Sequence, residues 1–137
     1  MEIQVYTRNK GKRELISAIA NVYAKELKLR RSRCMLTIET VTGLEKSTGM
    51  RGGITQLSRY ELSIAIDSRL DMETMLTVLA HEMVHAKQYA FGQLRVGENG
   101  YIWLGQEYET SYYESPWEIE AFSRERVLAN KIAAMFV

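Results

Sequence analysis

The spacing of apolar residues predicts one helix and two strands in the first half of the chain. Residues 12–29 carry apolar side chains at helical intervals with polar residues opposite, as in an amphipathic helix. Residues 34–41 alternate apolar and polar side chains and are rich in β-branched residues, and residues 60–67 alternate again, so both segments are predicted strands. Four glycines interrupt residues 42–53, where we expect a turn or an exposed loop.

Two longer helices are predicted in the second half of the chain. Residues 72–91 follow two residues that can cap a helix, Ser68 and Asp71, and their apolar side chains point in nearly every direction, which indicates a buried helix. Residues 115–137 begin with a Ser-Pro pair suited to the N-cap and the first helical position. Between these helices, residues 93–114 predict short strands or a hairpin.

Composition and charge are those of an ordinary globular protein. Of 137 residues, 46% are apolar and 26% are charged, which suits one domain spanning residues 1–137. The net charge of +1 argues against nucleic acid as a partner. The first residues lack the apolar core of a secretory signal, no stretch is long enough to span a bilayer, and Cys34 is the single cysteine. We therefore expect a cytoplasmic monomer without a membrane partner.

The segment HEMVH, residues 81–85, contains both histidines of the chain. On a helix, His81 and His85 occupy positions i and i+4 of one face, so both imidazoles can bind a single ion. Glu82 is rotated off that face by one residue, which can place its carboxylate beside a water on the ion. Because a polar triplet in a buried helix is costly without partners, we interpret the segment as a metal site rather than a coincidence.

A catalytic zinc site needs a third protein ligand, and no histidine or aspartate follows His85. The remaining candidates are Glu98, Glu107, Glu109, Glu114, Glu118, Glu120 and Glu125. On the last predicted helix, Glu118 lies in the middle of the apolar stripe, whereas Glu120 lies outside it, where Arg124 can pair with it. Glu125 also faces inward, as a partner of the site or as a charge at the edge of the core.

Glu118 is therefore the predicted third ligand, although it has a second interpretation. Residues 115–118 also form the sequence of a capping box, in which the glutamate reaches back to the helix N-terminus. A capping role alone does not require the glutamate to be centred on the apolar face. For this reason we favour the interpretation of Glu118 as a metal ligand.

The HEMVH motif and the inward segment from Glu118 to Ala121 resemble the gluzincin zinc metallopeptidases, in particular their minimal, SprT-like members. The resemblance covers residues 60–125. It implies a zincin-like α+β fold in which a small mixed sheet packs on an N-terminal helix, a buried HExxH helix and a C-terminal helix that bears the glutamate. In that group an aspartate often stands four residues after the ligand glutamate and orients a histidine. Phe122 stands there in this chain, so we expect Glu125 or a backbone carbonyl to take that role.

The resemblance also implies a zinc metalloendopeptidase with one Zn²⁺ on His81, His85 and Glu118 and a polypeptide as its substrate. Glu82 is the expected general base, which takes the proton as zinc-bound water attacks the peptide carbonyl and delivers it to the leaving amine.

A tyrosine is expected to assist the developing oxyanion. The candidates are Tyr112 and Tyr113, and after them Tyr108 and Tyr101. In the resembled family, the strand before the HExxH helix is the sheet edge that binds extended peptide, which here corresponds to Tyr60, Leu62 and Ile64.

Two other functions stay open at the level of sequence. A noncatalytic protein could keep the fold and the metal for partner binding, although an intact Glu82 would then have no use. A protease of DNA-associated proteins, as some SprT-like relatives are, fits less well with the near-neutral charge.

Overall fold

A computed structural model describes residues 1–109 and 114–135, which form four helices and seven strands. The helices are α1 (Lys10–Glu26), α2 (Leu44–Thr48), α3 (Met72–Ala90) and α4 (Pro116–Met135). The strands are β1 (Glu2–Tyr6), β2 (Met35–Val41), β3 (Gly52–Ser58), β4 (Glu61–Asp67), β5 (Leu94–Gly97), β6 (Gly100–Trp103) and β7 (Gln106–Tyr108). The expected mixed α+β architecture is confirmed, with a second small sheet formed by β5, β6 and β7.

The main sheet has four strands in the order β1-β2-β4-β3. β1, β2 and β4 run parallel to one another and β3 is antiparallel to β4, so the sheet is mixed. The alternation along β2 and β4 buries one set of side chains, as the sequence predicts. These are Leu36, Ile38, Leu62, Ile64 and Ile66.

β4 is an interior strand, so the expectation that Tyr60, Leu62 and Ile64 form a peptide-binding edge is wrong. A tight turn after Ser58 folds β3 back onto β4 and occupies the hydrogen bonds on that side. Leu62 and Ile64 are fully buried, and Tyr60 lies in the turn before the strand. The edge nearest the histidine helix belongs to β3.

The buried face of the main sheet packs against α1 and α3, and α4 packs along α3. The Tyr23 hydroxyl of α1 donates a hydrogen bond to the Leu76 carbonyl of α3 at 2.9 Å, which joins the two helices in the core. The middle of α3 is buried almost completely, as predicted. Within the described ranges, none of the helices has the length and apolar character required to cross a membrane.

Gly52 determines how closely β3 approaches α3. A Cβ at this position would stand 2.6 Å from Val78 Cγ1, so only a residue without a side chain fits there. The same hypothetical Cβ would lie 3.5 Å from a carboxylate oxygen of Glu82, which places β3 directly beside the histidine motif. The prediction of a plain loop over residues 42–53 is therefore wrong, because this segment contains α2 and the start of β3.

The N-terminal part differs from the sequence prediction in two ways. β1 was not predicted; it is a short strand at the edge of the main sheet and pairs with β2. α1 is capped by Asn9, whose Oδ1 accepts the Lys12 amide at 3.0 Å, and it ends at Glu26 rather than at residue 29. The positive φ of 62° at Lys28 ends the helical path there. For α3, the cap is Asp71, which accepts the Thr74 amide at 2.8 Å.

Candidate metal centre

α3 places the two histidines of the chain one helical turn apart in the protein interior. His81 is 7% exposed and His85 is 4% exposed. Their rings meet edge to face, and the two Nε2 atoms lie 3.2 Å apart. The i, i+4 spacing thus brings two imidazole nitrogens to one point, as expected for a helix.

Glu118 reaches the same point from the first turn of α4. Its Oε1 lies 2.8 Å from His81 Nε2, and its Oε2 lies 3.0 Å from His85 Nε2. Both carboxylate oxygens are engaged by histidines instead of turning back toward the helix N-terminus, which argues against the capping-box interpretation. One ligand atom from each of the three buried residues lies within 4.8 Å of the others, so the group could hold a metal ion.

Each histidine is oriented by an acceptor on its other ring nitrogen. Glu125 Oε2 lies 2.8 Å from His81 Nδ1, and Gln88 Oε1 lies 2.7 Å from His85 Nδ1. Since a carboxylate and an amide oxygen can only accept here, both Nδ1 atoms carry the proton and both Nε2 atoms present a lone pair. Glu125 thus takes the orienting role expected of it, and Phe122 packs its ring on His81 at 4.7 Å between centroids.

The orientation of the Gln88 amide is fixed by its own partners. Its Nε2 donates to the Trp117 carbonyl at 3.0 Å and to Glu120 Oε1 at 2.8 Å, and both of these groups can only accept. The amide oxygen must therefore face His85. Glu120 also forms an ion pair with Lys87 at 2.8 Å, so it belongs to this network. It is more buried than its place outside the apolar stripe suggests.

The centre is a cluster of electron-pair donors that requires a cation. With both Nδ1 atoms protonated, the two Nε2 lone pairs and the Glu118 carboxylate all face one another. In the absence of a metal ion, a proton must occupy this point. Burial opposes charge on His81, but the carboxylates of Glu118, Glu82 and Glu125 outweigh it and raise the histidine pKa. Burial likewise opposes ionisation of Glu118, yet its contacts with the two histidines lower its pKa to about 2.

The distances within this cluster fit a tetrahedral ion. Donors bound at about 2.0–2.1 Å to a tetrahedral Zn²⁺ are separated from one another by about 3.3 Å. The separations among His81, His85 and Glu118 are 2.8, 3.0 and 3.2 Å. Small side-chain adjustments would therefore admit the ion.

Glu82 lies beside the cluster and faces a cleft of about 250 Å³. The residue is 6% exposed, and its carboxylate makes no hydrogen bond to the residues described. Burial raises its pKa, with a further contribution from the charges of Glu118 and Glu125, while the two histidines oppose the rise. A buried, unengaged carboxylate of raised pKa at the wall of a cleft is suited to accept a proton.

Two phenols of the described residues line this cleft, Tyr89 and Tyr101. Tyr89 is 8% exposed, and burial raises its pKa to about 12, so that it stays a hydrogen-bond donor at neutral pH. Tyr101 was a sequence candidate; it is 40% exposed, and its ring lies 5.1 Å from that of Trp117. Tyr108 also packs on Trp117, whereas Tyr112 and Tyr113 lie outside the described residues.

Gln88 and Tyr89 were not identified from the sequence, although a signal for both was present. They follow His85 by three and four residues, so they share its face of α3. A buried glutamine at this spacing can reach the imidazole of the preceding turn, and a tyrosine one turn further continues the row of the two histidines.

Comparison of the chain with protein-family models, curated proteins and solved structures gives no match. The interpretation of the site therefore depends on the geometry of its own residues.

Proposed function

We propose that this protein is a zinc-dependent metallopeptidase of the minimal gluzincin, SprT-like type. The supporting observation is the buried cluster of His81, His85 and Glu118, with the carboxylate of Glu82 unengaged beside it in an open cleft. Two imidazoles and one carboxylate are the donor set of many catalytic zinc sites, which use three protein ligands and leave a fourth position open. A purely structural zinc site has four protein ligands and no use for a general base.

The ion would supply a Lewis acid that polarises the substrate carbonyl and acidifies water. Glu82 accepts the proton of the attacking water and passes it to the leaving amine, a role that suits its raised pKa and its position on the cleft wall. Glu125 and Gln88 hold the two imidazoles in the tautomer that directs Nε2 to the ion. Each of these groups is a residue of α3 or α4, the two helices whose packing creates the site.

Tyr89 is the phenol that we assign to the developing oxyanion. It stands one turn after His85 on the same face of α3 and lines the cleft together with Glu82 and Glu118. Its hydroxyl stays protonated at neutral pH, because burial of the residue raises its pKa to about 12, and it can donate a hydrogen bond to a negatively charged oxygen. Tyr101 lines the same cleft but is more exposed, which makes it the weaker candidate.

The peptide would bind along β3 instead of β4. Among the residues that the structure describes, β3 has a strand partner on one side only, and its residues Gly53 and Ile54 line the cleft of Glu82. An extended polypeptide can add to such an edge through backbone hydrogen bonds, which would carry one of its peptide bonds past the general base.

The experiment that tests this proposal compares metal binding and peptide cleavage in matched variants. Wild type reconstituted with Zn²⁺ should cleave an unstructured protein such as casein, and the chelated protein should not. Glu82→Gln should keep zinc and lose about 10²–10⁴-fold in rate, since it removes only the general base. Glu118→Gln should lose tight zinc binding, whereas Glu98→Gln, in the exposed turn between β5 and β6, should retain it.

Stoichiometric zinc bound through these residues, without cleavage of casein or of a mixed peptide library, would contradict the peptidase proposal. That result would favour a noncatalytic metal-binding protein.

A further inference from the structure

A second cavity of about 930 Å³ lies next to the cleft, between the segment that follows α1, the turn from β3 to β4, and the end of α3. Of the described residues, five basic ones line this cavity, and no aspartate or glutamate does. We call it the basic groove. Its basic residues are Lys28, Arg31, Arg33, Arg59 and Arg95.

The positive charges of the basic groove are not neutralised within the described part of the chain. All five residues are exposed, and none of them forms an ion pair with a carboxylate of residues 1–109 or 114–135. The Arg59 guanidinium lies over the Tyr60 ring at 5.2 Å, which holds it at the groove. In a chain of net charge +1, the basic groove is a local concentration of positive charge, which attracts an anionic ligand.

The basic groove continues the cleft that contains Glu82. Tyr89 lines both cavities, and β3 runs along both of them. Gly53 and Ile54 of β3 line the cleft, while Gln56 and Ser58 line the basic groove. From Ile54 to Ser58 a strand extends about 13 Å, at about 3.3 Å per residue. A polypeptide extended along β3 would therefore pass from the cleft into the basic groove within a few residues.

We propose that the basic groove binds acidic side chains of the polypeptide substrate, about three to five residues to one side of the bond that is cleaved. This inference rests on the proposed peptidase function, because it assigns the groove to the same substrate. The edge of β3 offers backbone hydrogen bonds to an extended peptide, and the five cations complement its acidic side chains. Nucleic acid would satisfy the cations but would leave the strand edge unused, so an acidic peptide segment matches more of the surface.

The binding test uses the zinc-loaded Glu82→Gln protein and a fluorescein-labelled peptide with a run of glutamates. The control peptide carries glutamines at the same positions. Each exposed ion pair contributes a factor of about 1.5 to 5, so several pairs should make the acidic peptide bind about tenfold more tightly at low salt. The preference should shrink at about 1 M NaCl, where the Debye length is about 3 Å.

The variant Arg59→Glu/Arg95→Glu reverses two charges of the basic groove and should remove the preference. The matched control Arg8→Glu/Arg13→Glu makes the same change in net charge near the start of α1, at residues that line a different cavity. It should keep the preference. Equal losses in both variants would overturn the proposal, because the effect would then reflect net charge alone. Tighter binding of a single-stranded oligonucleotide than of the acidic peptide would also overturn it, in favour of nucleic acid.

A cleavage test separates this proposal from the peptidase proposal. With Glu82 intact, the ratio of kcat/KM for the acidic over the glutamine peptide should fall from about ten toward one in the Arg59→Glu/Arg95→Glu variant. Cleavage without any acidic preference would overturn the role of the groove and keep the peptidase. A binding preference without cleavage of either peptide would overturn the peptidase, and with it the assignment of the groove to a substrate.

Discussion

Substitution of Gln88 tests whether its hydrogen bond orients His85 in the candidate metal centre. Its amide oxygen accepts the Nδ1 proton of His85 at 2.7 Å, and its nitrogen donates to two acceptors on α4. The substitution Gln88→Leu preserves approximate size and removes all three of these hydrogen bonds. We expect the variant to fold and to bind zinc more weakly than wild type.

The expected losses of stability and of zinc affinity follow from the groups that lose a hydrogen-bond partner in this variant. Residue 88 is fully buried, and His85 and Trp117 are buried as well, so the imidazole Nδ1 and the Trp117 carbonyl lose their partners away from water, at a cost of about 1–3 kcal/mol each. Glu120 is partly exposed and keeps its ion pair with Lys87, so it adds little to this cost. Without an acceptor at Nδ1, His85 can adopt the other tautomer and donate from Nε2 to Glu118, which removes one lone pair from the metal site. Loss of such an orienting partner lowers metal affinity about 10–100-fold. At about 1.36 kcal/mol per tenfold change, this corresponds to about 1.4–2.7 kcal/mol.

The assay is competition for Zn²⁺ against a chromophoric chelator at neutral pH, with urea unfolding of the chelated proteins as the measure of stability. Gln93→Leu is the matched control. The Gln93 Oε1 is buried without a hydrogen-bond partner among the described residues, so the same chemical change there should leave zinc affinity unchanged and stability equal or higher.

Wild-type zinc affinity in a folded Gln88→Leu protein would refute the reasoning. It would mean that the position of His85 is determined by packing and not by the amide.

Three further predictions concern packing, titration and catalysis. Gly52→Ala places a Cβ 2.6 Å from Val78 Cγ1 and should lower the free energy of unfolding by about 1–3 kcal/mol. The control Gly53→Ala meets no described atom within 4 Å and should avoid this loss. Equal urea midpoints for the two variants would contradict the close contact at Gly52. Two backbone amide hydrogen bonds hold the pKa of Asp67 below 3.8, so its contribution to stability is full above that pH and is lost as the pH falls through the lowered folded-state pKa. The difference in urea midpoint between wild type and Asp67→Asn should therefore narrow in acid, and a constant difference would argue against the shift. Tyr89→Phe should reduce kcat about 10²–10³-fold with little change in KM, as measured with a fluorogenic peptide; an unchanged kcat would remove Tyr89 from the chemistry.

The sequence was sufficient to predict which residues form the candidate metal centre, because helical periodicity determines which side chains share a face. His81 and His85 follow from their spacing on a helix, and Glu118 follows from its place on the apolar stripe of α4. Glu125 was likewise expected to face inward, and it meets His81 Nδ1. These inferences need only the local geometry of two helices.

The strand order could not be read in the same way. β3 begins with two glycines, which resemble a loop in sequence, yet it pairs with β4 as a strand, and Gly52 permits its close packing on α3. The resemblance implies that the strand before the HExxH helix is the edge of the sheet, but β3 pairs with β4 on its outer side and makes β4 an interior strand. The neighbours of a strand depend on contacts between distant segments, and no local pattern encodes them.

The three donors of the metal centre come from two helices, and Glu118 follows His85 by 33 residues. That interval contains β5, β6 and β7, the whole of the second sheet. An ion held by the three donors would join α3 to α4 across the second sheet, so ion binding would stabilise the packing of these two helices. We expect removal of a bound ion to loosen α4 from α3 before the rest of the molecule unfolds, and under the proposed function cleavage would then stop well short of global unfolding.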